Sequence, residues 1–172
     1  HAGDIRSRKS VSGWIAYLVG DNGSRVPIDW GMKQQTFVAR SSAEAEIVAA
    51  SRLISTTALS LKSLMSQLEG TSVRTTILCD NAAAISAMKA GVSRTMRYIN
   101  KTQGVHLAWI RQCHDQGIID IEKVKGTVNP ADLFTKAFLR VKLEQLCSLV
   151  GFTRSKLAAV LLLRNLRLRD DM

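Results

Sequence analysis

Three acidic residues, Glu46, Asp80 and Asp132, have types and positions that suggest chemistry. Glu46 follows the start of a helical pattern, Asp80 ends an apolar strand pattern, and Asp132 lies just after a helix start signal. Carboxylates at such ends can hold Mg²⁺, which prefers oxygen ligands in octahedral geometry. Two such ions about 4 Å apart can activate a water and stabilise the leaving oxygen in phosphodiester cleavage. Metal-dependent cleavage is therefore one interpretation of these acids.

Each acid also has a structural interpretation. Asp132 is the third residue after a predicted cap, where an acid favours the helix dipole and can bond back to the cap. Asp80 could cap the helix that follows it, and Glu46 could be a solvated helical charge. Periodicity alone does not bring the three together, so both interpretations stay open at this point.

The first half of the chain predicts a hairpin followed by a long helix. Residues 14–19 and 26–30 are strand-like, and Asn22-Gly23 is a hairpin turn signal. Residues 42–69 contain no Gly or Pro, and their apolar residues recur at steps of three and four. Ser41 is the predicted N-cap of this helix, Glu44 completes a capping box, and Gly70 ends the helix.

The second half alternates between strands and helices. Asn129 followed by Pro130 marks a clear helix start. A hairpin followed by alternating elements implies an α/β fold, in which helices pack on a mixed sheet. The remaining predicted elements are a strand at 73–79, a helix at 81–90, a basic helical region at about 93–116, a strand at 118–124 and a helix at 129–150.

The composition points to a basic protein that meets a polyanion. The 172 residues carry 24 Lys and Arg against 14 Asp and Glu, a net charge of +10. Nucleic acid is the default partner of such a domain, and an anionic membrane surface is the competing interpretation. The three cysteines form no CxxC pair, which favours a reducing, intracellular location without a disulfide. No signal peptide or long apolar run is present.

The chain divides into a domain at residues 1–152 and a tail at residues 153–172. The tail is rich in Leu and Arg, and we expect either an amphipathic helix or sequence without an evolved role. The chain begins with His1, which suggests a piece cut from a longer polypeptide or an incomplete gene.

Five motifs in order resemble the ribonuclease H domain of copia-type LTR retrotransposon polyproteins, which follows the reverse transcriptase domain. The similarity covers about residues 2–152. The motifs are Arg8-Lys9-Ser10-Val11-Ser12-Gly13-Trp14, Ile28-Asp29-Trp30 followed by Lys33-Gln34-Gln35, Ser41-Ser42-Ala43-Glu44-Ala45-Glu46, Leu78-Cys79-Asp80-Asn81 with Ala84-Ile85, and Asn129-Pro130-Ala131-Asp132-Leu133-Phe134-Thr135-Lys136.

The resemblance implies a five-stranded mixed sheet flanked by helices, and cleavage of the RNA strand of an RNA–DNA hybrid with two Mg²⁺ or Mn²⁺ ions. Three of the family's four acids carry over to Glu46, Asp80 and Asp132. Glu46 matches better than Glu44 because the family's acid directly precedes the apolar helix face. The implied partners are the hybrid and the reverse transcriptase domain of the same polyprotein.

Two departures from the family qualify this expectation. The family's first catalytic Asp and its central first strand have no counterpart, because Asp4 matches only a trailing loop acid. We therefore expect an N-terminally truncated domain, inactive or nearly so, with a weakened sheet. The alternative is a non-catalytic nucleic-acid-binding remnant of a decayed retroelement.

Basic and hydroxyl side chains supply the predicted contacts to the hybrid. Phosphate contacts set affinity and register without reading sequence, whereas discrimination of RNA requires contacts to 2′-hydroxyls. For any single Lys or Arg, a solvated surface charge is the more common role. The predicted phosphate contacts are Lys33, Arg40, Arg94, Arg97 and Lys101, and the predicted 2′-hydroxyl contacts are Asn81, Ser10 and Ser12.

Overall fold

The computed structural model describes residues 7–151, so the tail at residues 153–172 lies outside the described residues. The elements follow one another in the predicted order of types. They are β1 (Val11–Val19), β2 (Arg25–Gln34), α1 (Ser42–Leu53), α2 (Leu59–Glu69), β3 (Thr76–Cys79), α3 (Ala82–Ala90), α4 (Ile99–Gln103), α5 (Leu107–Asp115), β4 (Asp120–Lys123) and α6 (Arg140–Leu149).

The strands form two separate two-stranded sheets within the described residues. β1 and β2 pair antiparallel as the predicted hairpin, and β3 and β4 pair parallel. Helix α1 packs against both β1 and β3. The single mixed sheet predicted from the sequence is therefore not formed by these residues. The described residues thus form a mixed α/β fold whose strands pair in two small sheets.

The long helix predicted at 42–69 is continuous, but its middle turn is wider than an α-turn. A π-helical segment, Ile54–Ala58, joins α1 to α2. The hydroxyl of Thr57, in this segment, donates to Asp29 Oδ2 at 2.9 Å, and Trp14 Nε1 donates to the same oxygen at 3.0 Å. The segment thereby fixes the hairpin to the helix. Gly70 ends α2 in the left-handed region, at φ 69°, as predicted.

Three other predicted boundaries need correction. The strand at 73–79 begins only at Thr76, and the basic helical region is divided by Gly104 into α4 and α5. The helix predicted at 129–150 is instead a 3₁₀ segment, Pro130–Phe134, followed by a break and α6. The 3₁₀ segment lies so close to β1 that a Cβ on Gly13 would come within 2.9 Å of Phe134 Cβ. Tertiary packing against β1 therefore overrides the local helix signal.

The main core lies between α1, the β3–β4 pair, α3 and α5. Its fully buried side chains include Ile47, Ile54, Met88 and Ile110, together with Ile121 of β4. Burial of one such aliphatic side chain stabilises the fold by about 1.5–3 kcal/mol. This core fixes α1 relative to β3, and thereby sets the separation of Glu46 and Asp80.

Candidate metal centre

Helix α1 begins with the predicted cap but a modified capping box. Ser41 is extended, and its Oγ accepts a hydrogen bond from the Glu44 backbone N–H at 3.1 Å. The Glu44 carboxylate does not bond to the Ser41 N–H, as a capping box would. Its Oε2 accepts instead from the backbone N–H of Arg40 at 2.8 Å. Glu44 therefore supports the helix start one residue earlier than predicted.

Glu44 is fully buried and connects α1 to the region around α4. Tyr98 donates its hydroxyl to Glu44 Oε2 at 2.9 Å, and Gln103 Nε2 lies 3.3 Å from Oε1. The Arg40 guanidinium covers the Tyr98 ring at 4.8 Å from its centroid. All of the acid's hydrogen bonds are thus made within the protein, and none of its surface is left for a metal ion.

Glu46 lies two residues further along α1, on a different face of the helix, and meets the end of β3. Its carboxylate, the Cys79 thiol and the Asp80 carboxylate each place one ligand atom within 4.8 Å of the others. Within residues 7–151, the Glu46 carboxylate has no hydrogen bond or ion pair. The structure therefore brings together two of the three predicted acids, Glu46 and Asp80.

Asp80 is positioned by the parallel ladder and by the segment that follows β4. Asn129 Nδ2 donates to Asp80 Oδ2 at 3.3 Å. Gly126 also approaches this oxygen, because a Cβ on it would lie 3.2 Å from Asp80 Oδ2. Asn81, the next residue, caps α3 by accepting from the Ala84 N–H at 3.1 Å. Asp80 itself is therefore free of the capping role that its position allowed.

Asp132 is buried at the 3₁₀ segment and pairs with Lys136. Lys136 Nζ lies 2.8 Å from each of the two carboxylate oxygens of Asp132. Asp132 is not in the cluster of Glu46, Cys79 and Asp80, but its charge acts on Glu46. Asp132, the third predicted acid, is thus a neighbour of the cluster, and its carboxylate is occupied by the ammonium group of Lys136.

The negative charge of the cluster is only partly offset by nearby positive charge. Burial raises the pKa of Glu46, the charges of Asp80 and Asp132 raise this pKa further, and the charge of Lys136 lowers it. Burial also raises the pKa of the Cys79 thiol to about 11. A protonated thiol is a poor ligand for a hard cation. The donors that fit Mg²⁺ or Mn²⁺ are therefore the carboxylate oxygens of Glu46 and Asp80.

The predicted hybrid contacts divide into exposed and buried side chains. Ser10 and Ser12 are 1% and 2% exposed, and the Ser12 hydroxyl accepts from Gln35 Nε2 at 3.0 Å. This burial does not fit the direct contact with a 2′-hydroxyl that the sequence predicted. Asn81 is half-buried, and besides capping α3 it donates to Ser42 Oγ at 3.3 Å. The predicted phosphate contacts are all exposed: Lys33, Arg40, Arg94, Arg97 and Lys101.

Sequence reasoning missed two features of this site. The pairing of Asp132 with Lys136 was detectable, since residues four apart with opposite charge meet on one helical turn. The hydrogen bond between Glu44 and Tyr98 joins residues 54 positions apart, so no local sequence pattern indicates it.

Comparison with known proteins relates the chain to a retroelement. It is 32% identical over 152 residues to the Retrovirus-related Pol polyprotein from transposon TNT 1-94 of Nicotiana tabacum. The match covers 87% of this chain and 11% of the polyprotein. No family model matches the chain, and no solved structure matches it. The chain is therefore a homologue of a short part of a retrotransposon Pol polyprotein.

None of the helices described between residues 7 and 151 combines the length and the apolar character needed to cross a membrane.

Proposed function

We propose that the chain is the ribonuclease H domain of a copia-type retrotransposon Pol polyprotein, which cleaves the RNA strand of RNA–DNA hybrids. The proposal is supported by the relationship to a Pol polyprotein and by the motifs that resemble this domain. The reverse transcriptase domain of the same polyprotein is the proposed partner, because it would produce the hybrid. An intracellular location follows from that partner.

The approach of Glu46 to Asp80 is the observation that carries this proposal. The two acids come from elements 34 positions apart, yet their carboxylates lie within 4.8 Å. Two ionised carboxylates this close repel each other, and a bound cation would offset that repulsion. Glu46, Asp80 and Asp132 would together hold Mg²⁺ or Mn²⁺, which supplies an activated water and stabilises the leaving oxygen when bound.

The chain's own residues contribute binding and orientation. The parallel pair β3–β4 and the hydrogen bond from Asn129 fix Asp80, while α1 fixes Glu46. The exposed Lys33, Arg40 and Arg97 would hold phosphates without reading base sequence. The family's first acid has no counterpart among the 172 residues, and we therefore expect the chain by itself to cleave weakly or not at all.

A hybrid-cleavage assay tests this function. The full chain is incubated with Mg²⁺ and a hybrid whose RNA strand is labelled, and Asp80→Asn is compared with the exposed-turn variant Asp21→Asn as the matched control. We expect weak cleavage that Asp80→Asn abolishes and Asp21→Asn leaves unchanged. Cleavage that survives Asp80→Asn would overturn the metal assignment. Strong cleavage by the wild type that Asp80→Asn abolishes would agree with the metal assignment and contradict only the expected weak activity.

A non-catalytic role in nucleic-acid binding is the second candidate. It is favoured by the net charge of +10 and by the exposed basic side chains around α4. Such binding would weaken steeply with salt, because each neutralised phosphate releases a counterion. Salt-sensitive binding of the hybrid without cleavage, equal in the wild type and Asp80→Asn, would favour this candidate over the enzyme.

A further inference from the structure

Lys136 is the residue whose position the proposed function does not yet explain. It follows Asp132 by four positions, and its backbone N–H donates to the Asp132 carbonyl at 3.0 Å. This turn places the two side chains side by side, so that Nζ reaches both carboxylate oxygens at 2.8 Å. The ammonium group thus covers the face of Asp132 that a metal ion would use.

The compensation of charge is uneven across the three acids. Asp80 accepts a hydrogen bond from Asn129, which is neutral. The Glu46 carboxylate has no hydrogen bond or ion pair within the described residues. Asp132 alone of the three is paired with a cation there, and the charge of that cation also acts on Glu46. Lys136 therefore partly offsets the negative charge of the whole group.

We propose that the Lys136 ammonium group is the resident counter-ion of this site, and that a divalent cation must displace it before Asp132 can become a ligand. This inference rests on the proposed function, since it concerns the same three acids. The ammonium group and the metal ion need the same carboxylate oxygens and repel each other. Binding of the metal and pairing of Lys136 with Asp132 are therefore competitive.

The exposure of the two partners fits such a displacement. The Asp132 side chain is only 12% exposed, whereas the Lys136 side chain is 54% exposed. Lysine carries its charge on a flexible four-carbon stem, so Lys136 can turn into solvent while Asp132 stays fixed. The competition lowers metal affinity without preventing binding. Removal of the Lys136 charge should then tighten metal binding by up to about fivefold, the ratio that corresponds to the loss of one ion pair at the protein surface.

Calorimetric titration of Mn²⁺ into the metal-stripped full chain tests the competition without using activity. Lys136→Gln should bind Mn²⁺ up to about fivefold more tightly than the wild type. Lys136→Arg keeps the charge and should bind no more tightly than the wild type. Lys89→Gln removes a positive charge at the far end of α3 and serves as the matched control, with unchanged affinity. Equal affinity of Lys136→Gln and the wild type would overturn the inference, as would weaker binding by Lys136→Gln.

Two further comparisons separate this inference from the proposed function. Mn²⁺ binding that is unaffected by Glu46→Gln and Asp80→Asn contradicts the proposed metal site, whatever Lys136 does. The ion pair itself is tested in EDTA, where Lys136→Gln should lower the melting temperature more than Lys89→Gln. Adding Asp132→Asn to Lys136→Gln should restore part of that loss. Additive effects of the two substitutions would contradict the role of Lys136 as counter-ion of Asp132.

Discussion

Glu44 and Glu46 lie two positions apart on one helix, yet their surroundings differ in almost every respect. Glu44 is fully buried and accepts hydrogen bonds from Arg40 and Tyr98. Glu46 is half-buried, has no such bond within the described residues, and faces Asp80. A buried acid with its donors in place stabilises the fold, whereas an acid held against another acid costs stability. The contrast distinguishes an acid with a structural role from the acid that we propose as a metal ligand.

The largest expected effect is on stability, at the buried acid. Glu44→Ala leaves the Tyr98 hydroxyl and the Arg40 N–H without their acceptor and opens a cavity at the start of α1. We expect the free energy of unfolding to fall by about 3 kcal/mol or more. Urea denaturation in EDTA measures this loss. Glu46→Ala is the matched control on the same helix, and a loss there as large as that of Glu44→Ala would erase the distinction.

A milder change isolates one bond of the same network. Tyr98→Phe removes only the hydroxyl that donates to Glu44, and hydrogen bonds to carboxylates are worth about 1.5–3 kcal/mol. We expect a loss at the lower end of that range, because the Glu44 carboxylate keeps its bond to Arg40. The same denaturation experiment measures it. If Tyr98→Phe were as stable as the wild type, this bond would not hold α1 to the α4 region.

The capping residue beside the site should have a smaller effect. Asn81→Ala removes the acceptor for the Ala84 N–H, which typically costs about 1 kcal/mol. Asn81→Ser keeps a capping oxygen and should retain most of the stability. Both variants should leave Mn²⁺ binding close to that of the wild type, because Asp80 is held by Asn129 and the β3–β4 ladder. A large loss of Mn²⁺ affinity in Asn81→Ser would place Asn81 among the groups that position the metal.

The smallest expected effect is on how stability depends on pH. Here the substitution should stabilise the protein, whereas the preceding ones destabilise it. The raised pKa of Glu46 means that the folded protein keeps this proton to higher pH than the unfolded chain does. The free energy of unfolding therefore falls as pH rises from the ordinary glutamate pKa through the raised pKa of Glu46. Glu46→Gln removes this fall, so its advantage over the wild type in EDTA should grow across that window and stay constant above it. An advantage that shrinks as pH rises would contradict the burial of an uncompensated Glu46.

Local sequence signals predicted helix caps and turns. The features that they did not predict depend on tertiary contacts. Ser41 and Gly70 act where predicted, because each role depends on neighbouring residues. The cap of α3 is Asn81, one residue after the Asp80 that the sequence offered for this role. The helix expected at 129–150 was wrong in its first half, because the segment around Phe134 packs against Gly13, more than a hundred positions away. The division of the sheet likewise depends on which strands meet, and periodicity carries no information about that.

The candidate site was only partly accessible from sequence. The resemblance selected Glu46 over Glu44, and the structure provides an independent reason in the buried network around Glu44. The burial of Ser10 and Ser12 could not be anticipated, because both belong to a polar, basic stretch that reads as a loop. Their burial follows from packing of the hairpin against α1, which Gln35 bridges by donating from Nε2 to both the Ser12 hydroxyl and the Ala45 carbonyl.

The most direct test of the account measures the melting temperature of the full chain with and without Mn²⁺. A ligand that binds only the folded state stabilises it, by about 2.7 kcal/mol at a hundred times its Kd. We expect Mn²⁺ to raise the melting temperature of the wild type. Glu44→Gln should melt at a lower temperature but keep this rise, and Glu46→Gln should lose it. An equal rise in Glu46→Gln and the wild type would contradict the assignment of Glu46 as a metal ligand.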